Sequence, residues 1–394
     1  MHNLVHDDDV PAAPNALDAA STPIAGPISD LDRYSRQVLF PGIGPQGQHR
    51  LRHAHAAIVG VGATGAATAG LLARAGVGRL TLIDRDFVEP SNLQRQVLFD
   101  EDDARESLPK AEAARRHLAR INSSVQVTAH IADLVPANIA ALVSGAHIIL
   151  DGTDNFETRY LLNDFAVQQS VPWIYAAAVG SYAATTNILP RIVGRHSERS
   201  EEPLYLRTER SDVPTHAPTS CLSCLFPSAP TGNVETCDTA GILSTAVNLA
   251  ASLQTTEALK FLTGQPHLMR RTLLSFDLWS GDRSEINTST PREDCDVCAA
   301  HNFRYLAGEN RPHITLCGRN SVQIHEHHRP IDLIALQARL APLAHIQNLR
   351  ANTMLLRFDH PPHTLTVFPD GRALIQGTTD IALARSLYAR FIGA

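Results

Sequence analysis

The chain has 394 residues, 44% of them hydrophobic, with 34 basic and 40 acidic side chains and a formal charge of −6. That length allows two or three domains, and the composition is that of an ordinary globular protein. A mildly acidic chain of this kind offers no basic footprint for nucleic acid as its main partner.

Residues 1–29 are rich in Ala, Pro, Ser and Asp without apolar periodicity, so a disordered leader is expected there. It lacks the basic start and apolar core of a signal peptide. The most membrane-like run, Ile58 to Gly78, is dominated by Gly and Ala and broken by Arg74, which argues against a membrane span and for a cytoplasmic protein. Leu31 to Arg52 opens the folded part. Its Arg33 to Gln37 stretch, which contains Arg36, reads on its own as a solvated helix start.

Ala56 to Val59 is a short apolar run expected to be a buried parallel strand. Gly60, Gly62 and Gly65, with Ala63 between them, form a GxGxxG turn, and an Ala/Leu-rich helix follows to about Arg74. A second strand, Arg79 to Ile83, ends in Asp84, placed where an acid can accept a ribose hydroxyl. Glycines let backbone approach phosphate, and the helix start faces the anion. By itself this fingerprint favours an NAD-dependent oxidoreductase. Ser91, Asn92, Leu93, Gln94, Arg95 and Gln96 then add three amides and a guanidinium just past the strand, a set suited to polyphosphate rather than to hydride transfer.

Pro109 announces a helix over Lys110 to Arg120, with Lys110 on its first turn as a surface lysine or a phosphate contact. The strand His147 to Leu150 runs into Asp151, Gly152, Thr153, Asp154 and Asn155. Carboxylates there can hold Mg²⁺ on phosphate oxygens, although an ordinary turn uses the same residues. A helix over Arg159 to Gln168 and a strand over Val171 to Ala177 complete the alternation. The fold class expected is α/β, a Rossmann-like, mainly parallel, doubly wound sheet.

Residues 190–220 lose periodicity and read as a mobile crossing loop. Cys221 with Cys224 and Cys295 with Cys298 form two CxxC pairs, the donor set of a closed tetrahedral structural Zn²⁺; two disulfides or redox pairs fit a cytoplasmic chain poorly. Cys237 precedes a long small-residue helix from about Ala240 to Leu262, where it is either an acidified nucleophile or a buried structural thiol. Cys317, in ITLC, reads as core.

Residues 301–394 form a second, smaller α+β unit. It comprises the ITLCGRNSVQI strand pair, a helix over Ile331 to Leu340, the MLLRF strand, a TLTVF/RALIQ hairpin turning at Pro369 to Gly371, and a closing helix over Ile381 to Phe391. His325 to His328 diverge along the chain and read as a solvated loop rather than a metal site.

In this order, Arg33 to Gln37, Gly60 to Gly65, Asp84 to Gln96, Lys110, Asp151 to Asn155 with Arg159, CLSC, Cys237, EALKFLTG and CDVC resemble the MoeB/ThiF adenylyltransferases of the ubiquitin-activating superfamily over roughly Leu31 to Ala300. The resemblance implies a homodimer that uses ATP and Mg²⁺ to adenylate the terminal glycine carboxylate of a small ubiquitin-like sulfur carrier. A cysteine desulfurase or rhodanese would supply the sulfur. It further implies that Asp84 holds the ribose, that Ser91 to Arg95 and Lys110 hold the phosphates, and that Asp154 binds Mg²⁺ beside Asn155. Arg36 would reach the neighbouring subunit's ATP, and Cys237 would carry thioester or persulfide chemistry. Two positions depart from the pattern: Ala63, where a further glycine is usual, and Ser244 to Asn248, where Gly and Pro are common. CGRNSVQI and FPDGRALIQGT resemble a C-terminal extension of some members, read here as a docking or stability domain. Peptide adenylation for a natural product and a catalytically silent scaffold are the remaining alternatives.

Overall fold

The computed structural model describes residues 29–191, 216–228, 240–309, 314–317, 321–324 and 330–393. Residues 1–28 of the expected leader, most of the expected crossing loop, Cys237 and His325 to His328 lie outside the described residues, as does the side chain of Cys317.

The larger sheet has eight strands: β1 (His55–Val59), β2 (Arg79–Asp84), β3 (Gln126–Ile131), β4 (Ile148–Asp151), β5 (Trp173–Val179), β6 (Tyr182–Ile188), β7 (Thr272–Asp277) and β8 (Asp282–Asn287), in the order β3-β2-β1-β4-β5-β6-β7-β8. The first five run parallel, and β6, β7 and β8 add an antiparallel wing. Period-two alternation makes this sheet the divider between two cores. Ala56 and Ile58 of β1 face a cluster with Leu72, Leu82 and Leu118. Ala57 and Val59 face another with Leu162, Phe165 and Trp173. β1 is buried throughout, which is why its sequence is an apolar run and not an alternating one.

Several boundaries differ from expectation for identifiable reasons. The helix after the Asp151 turn begins at Phe156 because the Asn155 side chain caps it, accepting from Thr158 N at 2.8 Å. The long helix is Ser244–Leu262, and the strand expected from Val171 starts at Trp173. The first helix is Asp30–Tyr34, capped by Ser29, so Arg36 follows it.

The smaller unit is an antiparallel sheet of β9 (Ile314–Cys317), β10 (Ser321–Ile324), β11 (Gln347–Ala351), β12 (Leu356–His360), β13 (His363–Val367) and β14 (Ala373–Gln376), ordered β11-β12-β13-β14-β10-β9. Helices Leu333–Leu340 and Ile381–Phe391 cover one face over Phe358, Leu365 and Ile375. A small cluster of Phe87, Leu355 and Phe368 joins this unit to the loop after β2. None of the described helices is long and apolar enough to cross a membrane.

Candidate nucleotide site

Strand order reverses between β1 and β4, leaving a crevice at their carboxyl ends, the usual ligand position in an open α/β sheet. Three glycines close its floor backbone to backbone. Gly60 has φ +81°, and a Cβ there would stand 2.5 Å from the Gly152 carbonyl oxygen. At Gly65 an added Cβ would lie 1.8 Å from Gly60 O, and at Gly152 2.2 Å from the same atom. Gly62 differs: its nearest neighbour is Gln96 Nε2, 4.0 Å away. The helix Ala63–Ala75 starts there with no side-chain cap, so its first N–H groups face the open side of the turn. Ala63 takes the first helical position, a conformation alanine adopts readily.

Asp84 is buried at the end of β2, accepting from Val61 N at 2.6 Å and Asp86 N at 2.7 Å. Burial pushes its carboxyl up to about 6, with the Lys110 ammonium opposing the rise. Lys110 opens the helix Lys110–Ile121, as expected from Pro109, but it is buried and lies 3.2 Å from Asp86 Oδ2. Burial works against its charge, yet Asp86, Asp84 and Asp154 outweigh burial and raise it above the ordinary lysine range. Asp86 is half-exposed and was not singled out in the sequence; a second acid two residues past the strand end was the available signal.

Opposite, β4 delivers a turn whose two acids point different ways. Asp151 is buried, accepts Thr153 N and Oγ1 at 2.8 and 2.7 Å, and pairs with Arg159 Nε at 3.0 Å. Burial raises its carboxyl and Arg159 counters it. Arg159 also donates to Thr153 O at 2.6 Å and lies over the Tyr175 ring, so it braces the turn. Asp154 is exposed, with one long contact, 3.4 Å from Asn155 Nδ2. Gln254 Nε2, from the long helix, donates to Asp151 O and Ile174 O at 3.0 and 2.8 Å, a buttress that one amide in a small-residue helix signals only faintly.

The Ser91–Gln96 segment is less convergent. Arg95 Nη1 folds back onto Ser91 O at 2.8 Å, Ser91 and Gln94 are exposed, and Leu93 packs against the core. Asn92 is buried and accepts Glu89 N through Oδ1 at 3.1 Å. Its Nδ2, like Gln96 Oε1, is buried with no hydrogen-bond partner among the described residues. Unpaired buried groups beside an open glycine turn are what a site built for a polar ligand presents. Arg36 is exposed, and among the described residues no hydrogen bond or ion pair joins it to this crevice.

The four CxxC sulfurs gather away from the crevice. Cys221 Sγ lies 3.8 Å from Cys224 Sγ and 3.6 Å from Cys295 Sγ, and Cys224 Sγ lies 3.4 Å from Cys298 Sγ. A tetrahedron with Zn–S bonds of about 2.3 Å has edges of about 3.8 Å, so the cluster has the dimensions of a closed four-sulfur site. All four thiols are unbridged, and Arg292 N points at Cys224 Sγ at 3.4 Å.

A family model described as the ThiF family matches residues 34–297. The chain belongs to the ThiF family. Its relatives include the sulfur carrier protein ThiS adenylyltransferase of Bacillus subtilis, 43% identical over 92% of this chain and 99% of that protein. The SAMP-activating enzyme E1 of Haloferax volcanii is 34% identical over 68% of this chain and 89% of its own length. Among solved structures, E. coli MccB with ATP shares the fold at a TM-score of 0.54 and 24% identity, covering 68% of this chain and 74% of that one. The ThiF match spans all eight strands of the larger sheet and stops at Val297, between the last two cysteines, so the β9–β14 sheet lies beyond it.

Proposed function

We propose that this ThiF-family chain is an adenylyltransferase that uses ATP to activate the C-terminal glycine carboxylate of a small ubiquitin-like sulfur carrier. The observation that carries the reading is the buried Lys110, kept charged by three carboxylates at the edge of a crevice floored by Gly60, Gly65 and Gly152. Relatives named as adenylyltransferases of sulfur carriers support it.

In this reading the triphosphate lies over Gly62 and the helix start at Ala63, with Asp84 and Asp86 at the ribose edge. Asn92, Ser91, Gln94 and Arg95 line the phosphates, Arg95 by swinging off the Ser91 carbonyl. A carrier carboxylate oxygen attacks the α-phosphorus, the bond to the bridging oxygen breaks, and pyrophosphate leaves with that electron pair. Lys110 offsets charge growing on the phosphate oxygens, a term typically worth about a hundredfold in rate. Asp154, exposed and nearly unpartnered, suits Mg²⁺, which when bound would neutralise phosphate charge. A sulfur nucleophile then attacks the acyl carbon and AMP departs. Cys237 is the family's candidate for a covalent stage of that transfer, and a cysteine desulfurase or rhodanese would supply the sulfur.

Cys221, Cys224, Cys295 and Cys298 would hold one structural Zn²⁺, tying the segment after β6 to the chain end of the ThiF domain. Arg36 would act on a partner copy's ATP in a homodimer. The exposed Leu39 and Phe40, 70% and 62% accessible, give the same segment an apolar contact surface. A cytoplasmic location follows from such substrates. The direct test is mass spectrometry of Gly-Gly-terminated carriers incubated with the protein, ATP and Mg²⁺: an AMP adduct on the carrier terminus is expected. No adduct on any carrier, with ATP turnover intact, would reject the substrate class.

A further inference from the structure

A second cavity, of about 310 Å³, lies at the seam between the ThiF domain and the C-terminal unit and contains none of the crevice residues. Glu106 and Arg116 line it from one side, Arg350, Asn352 and Arg357 from the other. Three arginines and one glutamate thus line it. Arg350 and Arg357 are direct cross-strand partners on β11 and β12, an arrangement of like charges that destabilises a sheet unless something neutralises it. Asp359 offsets the Arg357 charge in part, without an ion pair among the described residues. Arg350 donates only to the Arg105 carbonyl at 3.3 Å, and Arg357 lies over the Phe87 ring at 4.9 Å. Neither forms a salt bridge among the described residues, whereas Arg116 is held by Glu112 at 2.9 Å. Burial disfavours the Arg357 charge, Asp359 partly offsets this, and Arg350 adds to it.

We infer that this seam is a binding site for a small phosphoryl-bearing anion, held by Arg350 and Arg357 with Arg116 at its rim. Planar guanidinium forks pair with phosphate oxygens in two directions, and a cavity at the small end of ligand pockets suits phosphate, pyrophosphate or a nucleoside monophosphate. The site is independent of the adenylation reading, because no residue is shared.

Calorimetric titration of the full chain with inorganic phosphate, pyrophosphate and AMP in separate arms tests it and separates free phosphate from a phosphate ester. Inorganic phosphate should bind with one-to-one stoichiometry, while AMP or pyrophosphate, which the proposed crevice also takes, should show the seam as an additional site. Arg350→Gln, at an exposed position, should weaken that binding about tenfold, the worth of one charge-assisted hydrogen bond. Glu106→Gln, which removes the opposing carboxylate, should tighten it several-fold. Asp154→Ala should leave it unchanged, which keeps failure here distinct from failure at the catalytic crevice. Absence of phosphate binding, equal affinity in the two seam variants, or a shift of both in the same direction would overturn the proposal.

Discussion

An added Cβ at Gly65 would overlap the Gly60 carbonyl, whereas at Gly62 it would meet nothing nearer than 4.0 Å. Gly65 therefore serves the fold, whereas Gly62 is free of that constraint and, under the proposed function, faces the nucleotide. Gly65→Ala should cost about 2 kcal/mol in chemical denaturation, while Gly62→Ala should keep the wild-type midpoint and lower ATP affinity at least tenfold. A matching loss of stability in both variants would contradict the division. Titration offers a second prediction at this scale. Asp164 is buried and accepts Tyr305 N and Leu306 N through Oδ2, while Oδ1 has no partner. Burial lifts its carboxyl from the ordinary 3.8 to about 6, the two amides opposing. A raised folded pKa favours the native state through protonation, so this contribution is complete below about 3.8 and is lost as pH rises through 6. Asp164→Asn, whose amide can keep both acceptor bonds, should match wild type near pH 4 and unfold at higher temperature near pH 7. A constant difference across that range would refute the assignment. Single residues were unevenly legible: Gly60 and Gly65, where the backbone packs too closely for a Cβ, announce themselves by spacing, whereas the burial of Lys110 does not. The buried pairing of Asp151 with Arg159 and the support from Gln254 depend on contacts between β4, the following helix and the long helix, which no local pattern encodes.

At the scale of elements, β1, the turn, its helix and β2 were readable because a buried parallel strand is an apolar run and glycine punctuates it. The antiparallel wing was not. β8 is exposed along its length and reads DRSEIN, with no apolar alternation, and its place is set by pairing with β7 rather than by burial. Near that wing the four cysteines link elements far apart in sequence, and the proposed zinc predicts a measurable dependency. Elemental analysis should give one zinc per chain. Cys224→Ser or a strong chelator should release it and lower the unfolding temperature, since metal-binding free energy becomes folding free energy. A chain with no zinc and an unchanged melting point in the serine variant would remove the metal from the account.

For the whole molecule, the change from βα alternation to strand hairpins near residue 300 was readable in the sequence, but the seam was not, because its contacts join distant segments. Phe87 packs against Leu355 and Phe368 and lies under Arg357, while its backbone bridges Pro109 beside Lys110. The C-terminal unit thus leans on the loop that follows Asp84 and carries Asp86. Phe87→Ala should cost about 3 kcal/mol and split calorimetric unfolding into two transitions. A single transition at the wild-type temperature would show the two units are not coupled through that ring. The central claim is that Gly60, Lys110 and Asp154 serve one bound triphosphate. ATP–pyrophosphate exchange in the presence of a Gly-Gly-terminated carrier measures it most directly. Exchange should be present in the wild type, abolished by Asp154→Ala and largely intact in Cys237→Ala; equal loss in both variants, or exchange that survives Asp154→Ala, would contradict it.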